Sequence, residues 1–506
     1  MNTGGRLFKN SCITRVALGG GIGLNGSVIA WSPVRLACLV LVVPVFACGE
    51  VESPPADTTQ TETTGDGDGD GDGDGDGEAL RPNWHQDVAP LVHGSCVGCH
   101  YEGGIAPFAL ETYEQSAPWA ALMSEAVNDG IMPPWGAIET EECQPDHTWL
   151  GDARLSETQR QLLADWASAG TPEGNPSDAV ALPEPPSLEL ADTTIVLQNP
   201  SPFTVGGTAD SFVCMVVDPG NETDVWVTGV QIVPDNTEVV HHVLTYIDSE
   251  AASDALVDAD GKFSCPGGFV SLSGTSQIST WVPGGVPTET PPDVGFPMPV
   301  GSKVIMAYHY HPTGAGDEVD QSAVALRWTE DKPGLTGYMG VFGAIFNGND
   351  VDPGPNDPNG VPVFEIPPNV SDHVETITYT IPALLPPVDL FTMGTHMHYV
   401  GVDMKIWVER NGQELCWLQT PRWDFNWQRL YDIDAPIGQM PKVQGGDVIK
   451  LRCTYDNTLN NPALVQALEQ QGLSEPITIG VGESSLEEMC AMLFGIATDL
   501  PLGDFF

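Results

Sequence analysis

The sequence predicts a multidomain chain in which a small all-α domain is followed by two all-β domains, each an antiparallel β-sandwich. Three observations predict it. Helical spacing runs from Asn83 to about Gly174, with Ser156-Glu157-Thr158 opening a segment that continues to Trp166 and ends near Gly170. Pro183, Pro185 and Pro186 then mark a boundary. Beyond them the signal becomes short strand-like runs bounded by Gly, Pro, Asn and Asp, at 223–233, 239–247, 303–311, 322–329, 402–408 and 448–456. Repeated short strands without intervening helices argue for packed sheets, and roughly 320 residues suffice for two of them. The expected boundaries are a leader over 1–48, a tether over 49–82, the α domain over 83–180, and β domains over 186–332 and 333–506. A Pro/Gly/Asn/Asp-rich tract from Asn347 to Gly360 reads as a surface insertion.

The leader has the pattern of an export signal. Arg35 precedes an apolar run from Leu36 to Phe46, which ends in Val45-Phe46-Ala47-Cys48. That ending resembles the lipobox of bacterial lipoproteins, which implies cleavage before Cys48 and lipid on its thiol. The mature protein would then be an exported, cell-envelope lipoprotein held at a membrane surface. The apolar run itself is too short to span a hydrocarbon layer of about 30 Å. From Glu50 to Leu80 the chain is Pro, Thr and Glu followed by Gly-Asp repeats, a self-repelling tether that cannot bury apolar surface.

Charge excludes one class of partner. The chain carries 69 acidic and 18 basic residues, a net charge of −51, so nucleic acid is repelled and no basic stripe offsets this. Of the eleven cysteines, Cys12 and Cys38 fall in the leader and Cys48 takes lipid. Cys96 and Cys99 belong to a motif. The remaining six suit an oxidising compartment.

That motif is Cys96-Val97-Gly98-Cys99-His100, the C-x-x-C-H arrangement in which two thiols attach haem c and the histidine binds iron. Downstream, Gly130-Ile131-Met132-Pro133-Pro134-Trp135 resembles the Met-Pro loop of small cytochromes c, which makes Met132 the second axial ligand and the α domain cytochrome c-like. A redox or zinc site on the two cysteines is the alternative. His85 and His93 read as surface or propionate-side residues.

Six of the eleven histidines fall in three strand-like clusters, His241-His242, His309-Tyr310-His311 and His396-Met397-His398. Neutral imidazole is the common copper ligand outside thiolate sites. Residues two apart on a strand share a face, so His396 and His398 can grip one ion together. Adjacent His241 and His242 point to opposite faces unless the strand twists locally.

Order and neighbourhood add to this. The clusters follow Phe212-Val213-Cys214-Met215 and precede Leu451-Arg452-Cys453 and Glu487-Glu488-Met489-Cys490. The succession resembles the copper type II, ascorbate-dependent monooxygenases, the family of dopamine β-hydroxylase and the peptide-amidating hydroxylase, over about 185–500. The resemblance implies two jelly-roll-like β-sandwiches, each with one copper, facing across a solvent-filled cleft. His241, His242 and His309 would hold the electron-storing copper, with His311 a neighbour. His396, His398 and Met489 would hold the copper that binds oxygen and form the catalytic set. It also implies disulfides Cys453–Cys490 and Cys214–Cys265, while Cys143 and Cys416 are left without partners and Cys416 reads as a buried thiol. The implied reaction inserts one atom of O2 into a C–H bond of a small organic substrate, the other leaving as water.

Two departures bear on specificity. Where the peptide-amidating members carry arginine, asparagine and tyrosine to grip a carboxylate, this chain has Gly394, Ala491 and Leu493. A more apolar substrate is therefore expected. The fused haem motif offers an electron supply beside an ascorbate-like reductant. The same residues admit two other functions, a copper-binding or storage module without turnover and an electron-transfer lipoprotein with an inert β scaffold.

Overall fold

The computed structural model describes residues 81–502, apart from 186, 188, 208, 346, 349, 355, 356, 358 and 359. The leader, Cys48, the tether as far as residue 80 and several positions of the 347–360 tract lie outside the described residues. The described chain is mostly β, with several antiparallel sheets and few helices. No described helix is long and apolar enough to cross a membrane.

The helical segments before the strands include Trp84–Val88, Ala89–Ser95, Tyr113–Ser116, Ala120–Asn128 and Glu157–Ser168, and one more helix, Pro462–Gln470, lies among the later strands. Glu157–Ser168 is opened by a capping box in which the Gln159 amide N–H donates to Ser156 Oγ and the Ser156 N–H donates to Gln159 Oε1 at 2.8 Å. Leu163 and Trp166 turn inward from it onto Trp84, Val88 and Val92, forming a core separate from that of the sheets. Trp166 is fully buried, and its indole N–H donates to the Pro172 carbonyl at 3.0 Å.

Between Ala120–Asn128 and Glu157–Ser168 the chain leaves this core. Residues 129–153 run along the C-terminal part of the β region: Ile138 N–H donates to the Gln419 carbonyl, Leu150 N–H to that of Asp432, and Asp434 N–H to that of Thr148. Cys143 is disulfide-bonded to Cys416, with Cα atoms 5.3 Å apart across 273 residues. Cys416 is thus not the lone thiol expected from the sequence. Nothing local ties two cysteines so far apart, and only the path of this excursion makes them neighbours.

All six expected strands coincide with observed ones, at Val225–Val233, Val240–Asp248, Lys303–Tyr310, Ala323–Thr329, Gly401–Arg410 and Val448–Tyr455. In the first half of the β region an antiparallel sheet is ordered Lys262–Ser264, Ser211–Val217, Lys303–Tyr310, Val240–Asp248, Thr275–Trp281. Alternate residues such as Val213, Met215, Val304, Met306 and Tyr308 enter the main core against Val227, Val230 and Leu326 of a larger sheet. The opposite face carries Cys214, Leu244, Ala307 and, further along, the histidines.

The larger sheet continues from one half of the chain into the other. Its order begins Ile195–Gln198, Ala323–Thr329, Val225–Val233, Val294–Met298 and proceeds through Leu335–Ala344, Cys490–Thr498, Val388–His396 and Tyr431–Asp432. The join is a parallel pairing of Leu335 with Val294 and of Thr336 with Gly295. On the second half, a four-stranded antiparallel sheet of His373–Thr380, Val448–Tyr455, Gly401–Arg410 and Gln413–Thr420 closes the core with Met404, Ile406 and Leu451.

Candidate metal centres on a shared cavity

The first donor set is made by a β-bulge. His309 pairs with His242, but the next pair is Tyr310 with Val240, so His241 is the extra residue of its strand. The bulge rotates His241 onto the side of His242, which removes the opposition that strict alternation would impose. The Nδ1 atoms of His241 and His242 lie 3.1 Å apart, and those of His242 and His309 lie 3.4 Å apart. One ligand atom from each of the three falls within 4.8 Å of the others. Burial, followed by the neighbouring His309, drives His241 and His242 well below the ordinary imidazole range, so both are neutral with lone pairs available.

His311 stands outside this set. Its Nδ1 is 2.7 Å from Asp210 Oδ1, and Asp210 Oδ2 lies 3.2 Å from His309 Nε2, an approach that does not complete a hydrogen bond. Burial of Asp210 opposes its ionisation, yet the two imidazoles hold the carboxyl below its usual range. Asp210 was not legible beforehand, since an aspartate two residues before Phe212 has no spacing signature.

The second set sits at the end of Val388–His396 and the start of Cys490–Thr498, which pair so that His396 faces Ala491. Gln428 Oε1 is 2.6 Å from His396 Nδ1, and the Glu487 carbonyl is 2.9 Å from His398 Nδ1. Both rings therefore use Nδ1 as donor and leave Nε2 as acceptor. Burial lowers His396 to about 4, and burial with the neighbouring His396 lowers His398 to about 3. Met489 is buried on the same cavity wall, and its strand is tied by Cys453–Cys490. That disulfide and Cys214–Cys265 are the two pairs the resemblance implied.

Glu488 holds this corner together. Its fully buried carboxylate accepts from the N–H groups of His398 at 2.8 Å, Met489 at 3.0 Å and Val400 at 3.0 Å. Burial pushes it up to about 8 against those hydrogen bonds.

His396, His398 and Met489 open on a small cavity of about 70 Å³ with apolar walls including Phe212, Phe269, Val341 and Leu493, and with Arg429 and Glu483 among its polar groups. Gly267 lines it at φ 72°, and a Cβ there would fall 1.6 Å from Glu483 Oε1. A second, narrower pocket is lined by all five histidines of the two sets. The resemblance implied an open solvent-filled cleft. Here Phe425 lines the pocket that both sets share, stacked at 4.6 Å on His241 and edge-on at 5.9 Å to His398.

The residues of the C-x-x-C-H motif lie at the end of Ala89–Ser95. Cys96 and Cys99 are free thiols, half-buried, with burial raising Cys96 to about 12. His100 Nδ1 is 3.0 Å from the Phe108 carbonyl, which leaves Nε2 available, and Met132 packs against the same helical core. Two unbridged thiols beside an oriented imidazole fit covalent haem attachment. His93 Nε2 lies 2.9 Å from the Glu111 carbonyl and His85 Nε2 lies 3.5 Å from Glu173, so neither joins the motif.

Fold and site together define a mostly antiparallel β protein with two imidazole-rich donor sets on shared cavity walls. Within it, residues 361–494 match the family model of the copper type II ascorbate-dependent monooxygenase C-terminal domain. The matched stretch contains His396, His398 and Met489, and the family is copper-dependent and uses O2 with ascorbate as reductant. No curated protein matches the chain. Among solved structures, the major capsid protein P2 from bacteriophage PM2 is 8% identical, with 59% of this chain and 97% of that one covered at a TM-score of 0.24. The cowpea mosaic virus top component is 9% identical, with 60% and 88% covered at a TM-score of 0.24. Neither likeness bears on fold or function.

Proposed function

We propose that this protein is a two-copper monooxygenase that hydroxylates a C–H bond of a small, largely apolar organic molecule. The observation that carries the reading is the pair of unequal donor sets on neighbouring cavity walls, three imidazoles in one and two imidazoles with a thioether in the other. His241, His242 and His309 hold the copper that stores an electron, and His396, His398 and Met489 hold the copper that meets O2. Copper supplies one-electron chemistry and O2 binding there, and the soft thioether favours the cuprous state.

The chain's own residues do the rest. Gln428 and the Glu487 carbonyl orient the second pair of rings, and Glu488 fixes the backbone of His398 and Met489. Phe212, Phe269 and Leu493 line the substrate's space with carbon and exclude water from it. Cys96, Cys99, His100 and Met132 hold haem c, which makes the α domain cytochrome c-like and an internal source of electrons beside an external ascorbate-like reductant. The protein is exported and held to the cell envelope by lipid on Cys48.

Oxygen uptake by the copper-loaded protein with ascorbate and a panel of small apolar molecules tests the reading. Uptake coupled to a hydroxylated product, and lost in His398→Ala, is expected. Copper binding without substrate-coupled uptake would instead identify a storage module.

A further inference from the structure

We propose that the helical domain passes electrons to the β domains at the His396/His398/Met489 set, through Trp135, Arg429 and Gln428, and not first at the His241/His242/His309 set. The proposal rests on the haem and copper readings above. It starts from where the excursion over 129–153 lands. Its contacts fall on the C-terminal part of the β region: the Cys143–Cys416 disulfide, Thr140 Oγ1 donating to Gln419 Oε1 at 2.6 Å, the Glu142–Arg452 ion pair at 2.6 Å, and Arg422 donating to the Asp129 carbonyl. This docks the loop that begins at Met132 beside the strand carrying His396.

The connection is then short and continuous. Trp135 lies three residues beyond Met132, and the Arg429 guanidinium sits over its ring at 4.7 Å and over Tyr431 at 5.8 Å. The Gly136 N–H donates to Tyr431 Oη at 3.0 Å, which fixes the loop against this stack. Arg429 is joined by one peptide bond to Gln428, whose Oε1 is 2.6 Å from His396 Nδ1. On the other side, Phe425, Glu483 and Ser484 line the narrow pocket that the two histidine sets share, with Phe425 stacked on His241.

Arg429 has a second property that points to an anionic group. In a chain of net charge −51 it has no carboxylate within ion-pair distance among the described residues, although Arg154, Arg160, Arg327, Arg410 and Arg452 each have one. Its buried Nε also lacks a hydrogen-bond partner. A guanidinium held over Trp135 and Tyr431, against the loop that begins at Met132, is placed to pair with the carboxylates of a haem ligated by that loop.

Each transfer moves one electron. Ferrous haem iron becomes ferric as cupric copper becomes cuprous, no bond forms or breaks, and an external one-electron reductant of the ascorbate or cytochrome class restores the ferrous state. The test uses the full chain loaded with haem and copper. Haem is reduced without oxygen by a flash that excites an added flavin with a sacrificial electron donor, and its reoxidation is followed by its visible absorption. Arg429→Gln and Trp135→Leu, each with unchanged haem and copper content, are expected to slow reoxidation about tenfold. His396→Ala is expected to abolish the fast phase and His241→Ala to retain it. Unchanged rates in both relay variants, or loss of the fast phase in His241→Ala with retention in His396→Ala, would overturn the route. Haem and copper contents are measured first, so a protein without covalent haem, or without copper, overturns the underlying reading and is distinguished from failure of the route.

Discussion

At the scale of residues, the amide of Gln428 decides which nitrogen His396 offers. It occupies Nδ1 at 2.6 Å, and a ring freed of that bond can rotate or change tautomer. Gln428→Leu is therefore expected to weaken copper binding at that site by about 10–100-fold while leaving the other site intact, as read by competition against a chelator. Protonation has a defined direction as well. His396 and His398 fold with values of about 4 and 3, below the 6.5 of an unfolded histidine, so the stability that their neutral forms contribute is lost as pH falls from 6.5 toward those values. Glu488 acts in the opposite sense: raised from 4.5 to about 8, its contribution fades as pH rises through that window. The depressed histidines outnumber it, and His241 and His242 shift the same way. Denaturant titration of the copper-free protein is expected to find maximum stability near about pH 6.5. A maximum below pH 5 would contradict these assignments.

At the scale of elements, the strand Val240–Asp248 shows how far local pattern reaches. Period-two alternation locates the strand and its core-facing Val243 and Ile247, but it assigns His241 and His242 to opposite faces. The bulge that reunites them depends on register with Lys303–Tyr310, some 60 residues away, and no local signal specifies it. The pair His396 and His398 was legible from its spacing of two, although the strand itself ends at His396. Gln428 and Asp210, which act across the fold, were not. The excursion over 129–153 is similar: its helical flanks were readable, while its docking depends on contacts with 416–452. Replacing Cys143 and Cys416 with serine together is expected to cost about 2–5 kcal/mol in unfolding experiments. It should also make 129–153 the first segment cut in limited proteolysis. Unaltered stability and cleavage would mean that the other contacts suffice to hold the excursion.

At the scale of the whole molecule, the change from helical spacing to short strands was readable because each pattern is local. The way the halves join was not. A sheet continuing from Ile195–Gln198 to Tyr431–Asp432 through the parallel pairing at Val294 and Leu335 brings the two histidine sets onto neighbouring walls, and its two residue pairs leave no mark in composition. The sequence placed the six donors in order along the chain, and the fold supplies their convergence. The central claim is that these donors form two separate copper sites, which metal content measures directly. The account predicts two coppers per wild-type chain, one in His241→Ala with its companion His242→Ala, and one in His396→Ala with its companion His398→Ala. A single copper in the wild type, or loss of both from either pair of substitutions, would contradict it.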